Sequence, residues 1–154
     1  MKVENTLIWG DGGHAKMIYS LICDDEKFGR VHLIGKYDQT NYIQMAKQKN
    51  CASILGVGDL NIRLNIINKL EKINVNWITI ISDKSIISET SKIGLGTVIM
   101  PGVIINNNVE ISKNCIINTG SIIEHDCKIG DNSFIGPGSV VTGGCIIGKN
   151  VTIN

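Results

Sequence analysis

From Ile87 onward, every sixth residue of the chain is a β-branched aliphatic: Ile87, Ile93, Ile99, Ile105, Ile111, Ile117, Ile123, Ile129, Ile135, Val141, Ile147 and Ile153. Four residues beyond these stands a small side chain, at Ser91, Thr97, Val103, Val109, Cys115, Ser121, Cys127, Ser133, Ser139, Cys145 and Val151. Glycine follows the aliphatic at Gly94, Gly130, Gly136 and Gly148. A period of six held without a break from Ile87 to Ile153 does not suit hairpins and predicts a parallel β-helix of hexapeptide repeats. Each hexad supplies a short strand and a corner, and three hexads make one coil. The large aliphatic points inward onto its equivalent one coil away. The small residue turns the corner inside the prism, and Gly and Asn supply corners with unusual backbone angles. Twelve hexads predict four coils.

The first eighty residues alternate differently. Short apolar runs at 6–9, 31–34, 52–57 and 76–81 predict strands, the last leading into the β-helix. Helical patterns fall at 15–23, 42–50 and 59–74. In the last, Asp59 is the expected cap, with Ile62, Ile66, Ile67, Leu70 and Ile73 on the apolar face. Strand–helix alternation predicts a small α/β unit with a parallel sheet. The expected division is a Rossmann-like domain over 1–82 and a β-helix over 83–154.

Composition narrows the function. Isoleucine numbers 29 and asparagine 16, a bias that AT-rich codons partly explain. Fifteen Lys plus Arg against fourteen Asp plus Glu leave a net charge of +1, no basis for a nucleic-acid or membrane-surface partner. No apolar run is long enough to span a membrane, and the N-terminus lacks a signal peptide's apolar core. Five cysteines without a C-x-x-C pair fit a reducing cytoplasm. Cys115, Cys127 and Cys145 occupy the small inward slot and read as buried hydrophobes. No His or carboxylate cluster has metal-ligand spacing, so no metal is expected.

Gly10-x-Gly12-x-x-Ala15 follows the first strand and opens the first helix. Glycine lets the backbone approach a phosphate, and a helix N-terminus favours the anion. A unit of this length suits a mononucleotide or a nucleotide-sugar better than a dinucleotide. It also fits a tight strand–helix turn with no ligand.

Gly10-Asp11-Gly12-Gly13-His14-Ala15 precedes a β-helix that carries Asn118-Thr119-Gly120-Ser121-Ile122-Ile123-Glu124-His125-Asp126-Cys127. The combination resembles the sialic acid O-acetyltransferase-like (NeuD/PglD-type) family, which includes acetyltransferases of nucleotide-linked 4-amino sugars. The resemblance covers essentially the whole chain. It implies a left-handed β-helix, a homotrimer, acetyl-CoA as co-substrate and a nucleotide-sugar, UDP-linked as first choice, held by the N-terminal domain. His125 matches the family's general base, Asp126 the acid that orients it, and Asn118 a polar neighbour. Gly143, one coil after His125, matches a backbone donor to the thioester carbonyl. Gly10, Gly12, Gly13 and His14 match the nucleotide-side loop, and Gly58, Asn61 and Arg63 a segment near the sugar-nucleotide. Asp38 matches the first of an acidic pair whose second member is here Gln39.

Two features depart from the family. Phe134 stands where relatives often carry a second histidine beside the thioester. Relatives also continue with further coils beyond the position of Asn154, so a truncated β-helix and an incomplete CoA site are expected. The same residues suit two other readings: a sugar O-acetyltransferase, sialic acid included, and a non-catalytic sugar-nucleotide-binding module.

Overall fold

A computed structural model describes residues 2–36 and 39–154. Asp38, matched above to the first of an acidic pair, lies outside the described residues. The chain divides into two compact units, 1–78 and 79–154. No helix among the described residues is long and apolar enough to cross a membrane.

In the first unit four strands form one parallel sheet: β1 (Asn5–Trp9), β2 (Arg30–Ile34), β3 (Cys51–Leu55) and β4 (Asn76–Trp77), in the order β2-β1-β3-β4. Alternation along β1 sends Leu7 and Trp9 to one face. There they pack with Ile34, Leu55, Ile67 and Leu70. The buried Trp9 indole donates to the Ser53 hydroxyl at 3.2 Å, so its one polar atom is satisfied. Three α-helices connect the strands: α1 (Gly13–Ile22), α2 (Gln39–Ala46) and α3 (Leu60–Glu71). Asp59 caps α3 as expected, accepting from the Ile62 N–H at 2.9 Å.

The buried face of α3 differs from its sequence pattern. Ile62 is 51% exposed, whereas Arg63 is fully buried beside Ile67 and Leu70. Arg63 Nη1 donates to the Val57 carbonyl at 2.9 Å and anchors the loop after β3 from within.

The strand expected over 76–81 is two strands. β4 completes the first sheet by pairing with β3, whereas β5 (Ile80–Ile81) pairs with Val98–Ile99 in the second unit. From β5 to β17 (Thr152–Ile153) a two-residue strand recurs at every hexad. The thirteen strands stack as three parallel sheets of four, five and four. Partners lie one coil apart, as in Ile111↔Ile129 and Ile123↔Val141. The inward aliphatics from Ile99 to Ile147 are all buried, as are the corner residues from Thr97 to Ser133.

The corners have their own period. Gly96, Gly102, Asn108, Asn114, Gly120, Asp126, Asn132, Gly138, Gly144 and Asn150 all have φ between 54° and 76°. Only Gly, Asn and Asp stand there, the residues that tolerate left-handed backbone best. The glycines directly after the aliphatics are not these corners. At Gly94, Gly130 and Gly136 a Cβ would come within 2.9 Å of the next coil's backbone, so close approach excludes a side chain.

Candidate functional site

The chain offers two sites, one in each unit. In the first unit the connections from β1 run to β2 on one side and onward to β3 on the other. The strand order therefore reverses at the C-terminal ends of β1 and β3, where open α/β sheets bind their ligands. A cavity of about 640 Å³ lies there, lined by Gly10, Gly12, Gly13 and His14 on one wall and Gly56 to Gly58 on another. The two loops pinch together because both begin with glycine: a Cβ on Gly10 (φ 142°) would sit 2.6 Å from the Gly56 carbonyl oxygen. Gly12 caps α1 without a side-chain hydrogen bond, and no acid occupies the first turn, so its N–H groups are available to an anion.

The third wall comes from α3. Ile62, Asn65, Ile66 and Lys69 recur at helical spacing and face the cavity. This explains why Ile62 is exposed. Lys69 Nζ donates to Gln39 Oε1 at 2.9 Å and joins α3 to the start of α2 beside the cavity. His14 lies at the cavity with its ring largely buried. Burial, then the Arg63 guanidinium, lower its pKa from 6.5 to about 4. It is therefore neutral at pH 7, and its buried Nε2 has no hydrogen-bond partner. Gly58 lines the cavity, Arg63 lies beneath it holding Val57, and Asn61 is exposed outside the lining. Sequence reasoning missed Asp11, Lys36, Gln39, Asn65 and Lys69 in the lining. The signal for the last two was their spacing with Ile62 and Ile66 along one helical face.

In the second unit His125 and Asp126 occupy the corner after Ile122–Ile123. His125 Nδ1 lies 2.8 Å from Asp126 Oδ2. A histidine followed by an aspartate does not ordinarily present both side chains to each other. Here the left-handed turn at Asp126 (φ 61°) folds its carboxylate back onto the preceding ring. The hydrogen bond from His125, then that from the Asn108 amide, hold the Asp126 carboxyl below the usual carboxylate range. It is thus a carboxylate at neutral pH and can only accept. The ring consequently carries its proton on Nδ1 and leaves the Nε2 lone pair open.

Gly143 lies one coil above, against that ring. A Cβ on Gly143 would stand 2.7 Å from His125 Nε2 and 2.8 Å from Cε1. Only a residue without a side chain leaves room for the imidazole in this position. Gly144 adds its N–H to the His125 carbonyl at 2.8 Å, fixing the backbone of the same corner.

Asn118 and Phe134 stand apart from this group. Asn118 follows the strand Ile116–Ile117, on another side of the prism, and its Oδ1 accepts from the Thr119 N–H at 2.8 Å. Phe134 begins the strand above it and pairs with Ile116. The nearby thiol of Cys127 is pushed up by burial, and Cys51 in the first unit reaches about 11, so neither is a ready nucleophile. Among the described residues no group of three His, Cys, Asp or Glu is placed to hold a metal ion.

Residues 108–143 and 126–154 match the family of bacterial transferase hexapeptide (six repeats). No curated protein sequence matches the chain. Several solved structures share its fold. A mutant of perosamine N-acetyltransferase from Caulobacter crescentus, in complex with CoA and GDP-perosamine, superposes with a TM-score of 0.85 at 24% identity, covering 96% of this chain and 76% of that one. The acetyltransferase domain of PglB from Neisseria gonorrhoeae, in complex with acetyl coenzyme A, gives 0.80 at 18% identity, with 97% and 87% covered. WeeI from Acinetobacter baumannii gives 0.69 at 16% identity, with 99% and 96% covered. At these identities the likeness is one of fold.

Proposed function

We propose that this chain is an acyltransferase that moves the acetyl group of acetyl-CoA to the 4-amino group of a nucleotide-linked amino-dideoxy sugar, for glycan biosynthesis in the cytoplasm. The first unit is read as a Rossmann-like holder of the nucleotide, UDP as first choice. The second is read as a left-handed β-helix that performs the transfer within a homotrimer. The observation that carries the reading is the His125–Asp126 pair at 2.8 Å beneath Gly143. The hexapeptide-transferase match over 108–154, and a fold shared with enzymes solved with CoA, support the same conclusion.

The chemistry follows from the pair. An amine attacks a thioester only as the neutral base and must lose a proton as the C–N bond forms. His125 Nε2 takes that proton, and Asp126 stabilises the imidazolium through Nδ1–H. The carbonyl oxygen becomes an oxyanion, for which the Gly143 N–H is the assigned donor. As the adduct collapses, the C–S bond breaks and Nε2 returns the proton to the CoA sulfur. The products are the acetamido sugar and free CoA. No covalent enzyme intermediate is required, in keeping with the inert Cys127. At the other site the α1 N-terminus and the Gly10–Gly13 turn suit a diphosphate, and the Ile62–Ile66 wall suits an apolar base face.

The test is thiol release from acetyl-CoA in the presence of UDP- and GDP-linked amino sugars. His125→Ala should lower kcat by roughly 10²–10⁴-fold. Near-normal turnover in that variant would remove His125 from the mechanism. Turnover with a hydroxyl acceptor but not an amino acceptor would make the chain an O-acetyltransferase.

A further inference from the structure

The His125–Asp126 pair is exposed: the two side chains retain 63% and 58% of their accessible surface. A carboxylate that open to water rotates freely unless both oxygens are engaged. Oδ2 faces His125. Oδ1 accepts from the Asn108 side-chain amide at 3.2 Å. Asn108 stands one coil below, on the equivalent corner. Its φ of 58° matches the 61° of Asp126, so the two side chains leave the prism in parallel. The Asn108 backbone is itself tied down, its N–H donating to Thr90 Oγ1 at 2.9 Å in the preceding coil. The other acid of this corner, Glu124, is occupied separately, since Asn106 Nδ2 donates to its Oε2 at 2.8 Å.

We propose that Asn108 is a positioning residue for the His125–Asp126 pair: its amide holds one carboxylate oxygen so that the other stays aimed at His125 Nδ1 and, in the neutral ring, selects the tautomer with the proton on Nδ1. The role rests on the acyltransferase reading for its purpose, but not for its geometry. An amide is the side chain the position needs. It tolerates the left-handed corner, carries no charge, and presents N–H to a group that can only accept.

The experiment reads the ring nitrogens directly. Long-range ¹H–¹⁵N NMR of the full chain reports which His125 nitrogen carries the proton. Asn108→Gly keeps the left-handed corner and removes the amide. It should raise the Nε2–H share about five-fold, as expected for loss of one ordinary solvent-exposed hydrogen bond. Asn108→Asp sets a second carboxylate against Asp126 and should shift the ring further. In an Asp126→Asn background, Asn108→Gly should change nothing, because the group it acts through is gone. In turnover, Asn108→Gly should lower kcat about 10-fold with KM for acetyl-CoA unchanged within about two-fold. An unaltered tautomer ratio in folded Asn108→Gly, or an equal shift in the Asp126→Asn background, overturns the proposal. The tautomer measurement needs no substrate. A wild-type chain that transfers no acetyl group therefore contradicts the proposed function, while the ring nitrogens still decide the role of Asn108.

Discussion

Asp126 performs two tasks that pull on different properties of one residue. Its backbone closes a corner with φ 61°, and its carboxylate meets His125. The variants Asp126→Gly and Asp126→Ala separate these tasks. Glycine accepts the backbone, so its melting temperature should stay near that of the wild type while turnover falls. Alanine loses the same carboxylate and adds about 1 kcal/mol of left-handed strain, so it should also melt earlier. Equal melting temperatures for the two would contradict the corner argument. Gly143 is the second test at this scale. Gly143→Ala puts a methyl 2.7 Å from where His125 Nε2 lies, so the ring must move. Activity should fall about 10- to 100-fold, with a displaced imidazole in a crystal structure of the variant. The meeting of His125 with Gly143 was legible in the sequence, because they are separated by one coil, whereas the choice of these residues rested on the family resemblance. The meeting of Asn108 with Asp126 was not legible. The aliphatics fix the hexad frame, but which corner side chains meet depends on their left-handed backbone, which the aliphatic pattern does not encode.

At the scale of elements, α3 shows where periodicity misleads. Ile62, Ile66, Ile67, Leu70 and Ile73 form an apolar stripe on paper, yet Arg63 is buried and Ile62 is left exposed at a cavity. Sequence patterns treat Arg as solvent-facing, and the carbonyl of Val57, brought near by the fold, is among the partners that let it be buried. The neighbouring His14 gives the first unit a pH signature. Its folded pKa of about 4 lies below the unfolded value of 6.5. The unfolded chain therefore binds the proton first, and stability falls as pH drops from about 6.5 towards 4. The loss approaches about 3 kcal/mol at the lower end. Burial, then Arg30, lower the pKa of His32 and add to the same trend. The depressed carboxylates Asp25, Asp126 and Asp131 titrate below 3.8 and act at lower pH. Urea midpoints at pH 7.5 and 4.5 should differ clearly in the wild type and less in His14→Gln. An unchanged difference would show that His14 is not the group being charged.

For the whole molecule, the abundance of isoleucine has a structural reason beyond codon bias. Eleven of the twelve inward rungs from Ile87 onward are Ile, each stacked on its equivalent in the next coil. The β-helix was readable because one repeat dictates every rung. The first unit was readable only in outline, since its cavity is assembled from four segments whose meeting no local pattern encodes. The two units also predict separable ligand effects. A nucleoside diphosphate at about 100 times its Kd should stabilise the chain by about 2.7 kcal/mol, and Gly12→Glu, which sets a carboxylate at the α1 N-terminus, should abolish the gain. The transfer itself is read from the mass of a UDP- or GDP-linked 4-amino sugar after incubation with acetyl-CoA and the purified chain. One added acetyl group is expected, located on nitrogen and lost with His125→Ala; an acceptor of unchanged mass with the wild-type chain, or the same product formed by His125→Ala, would contradict the proposed transfer.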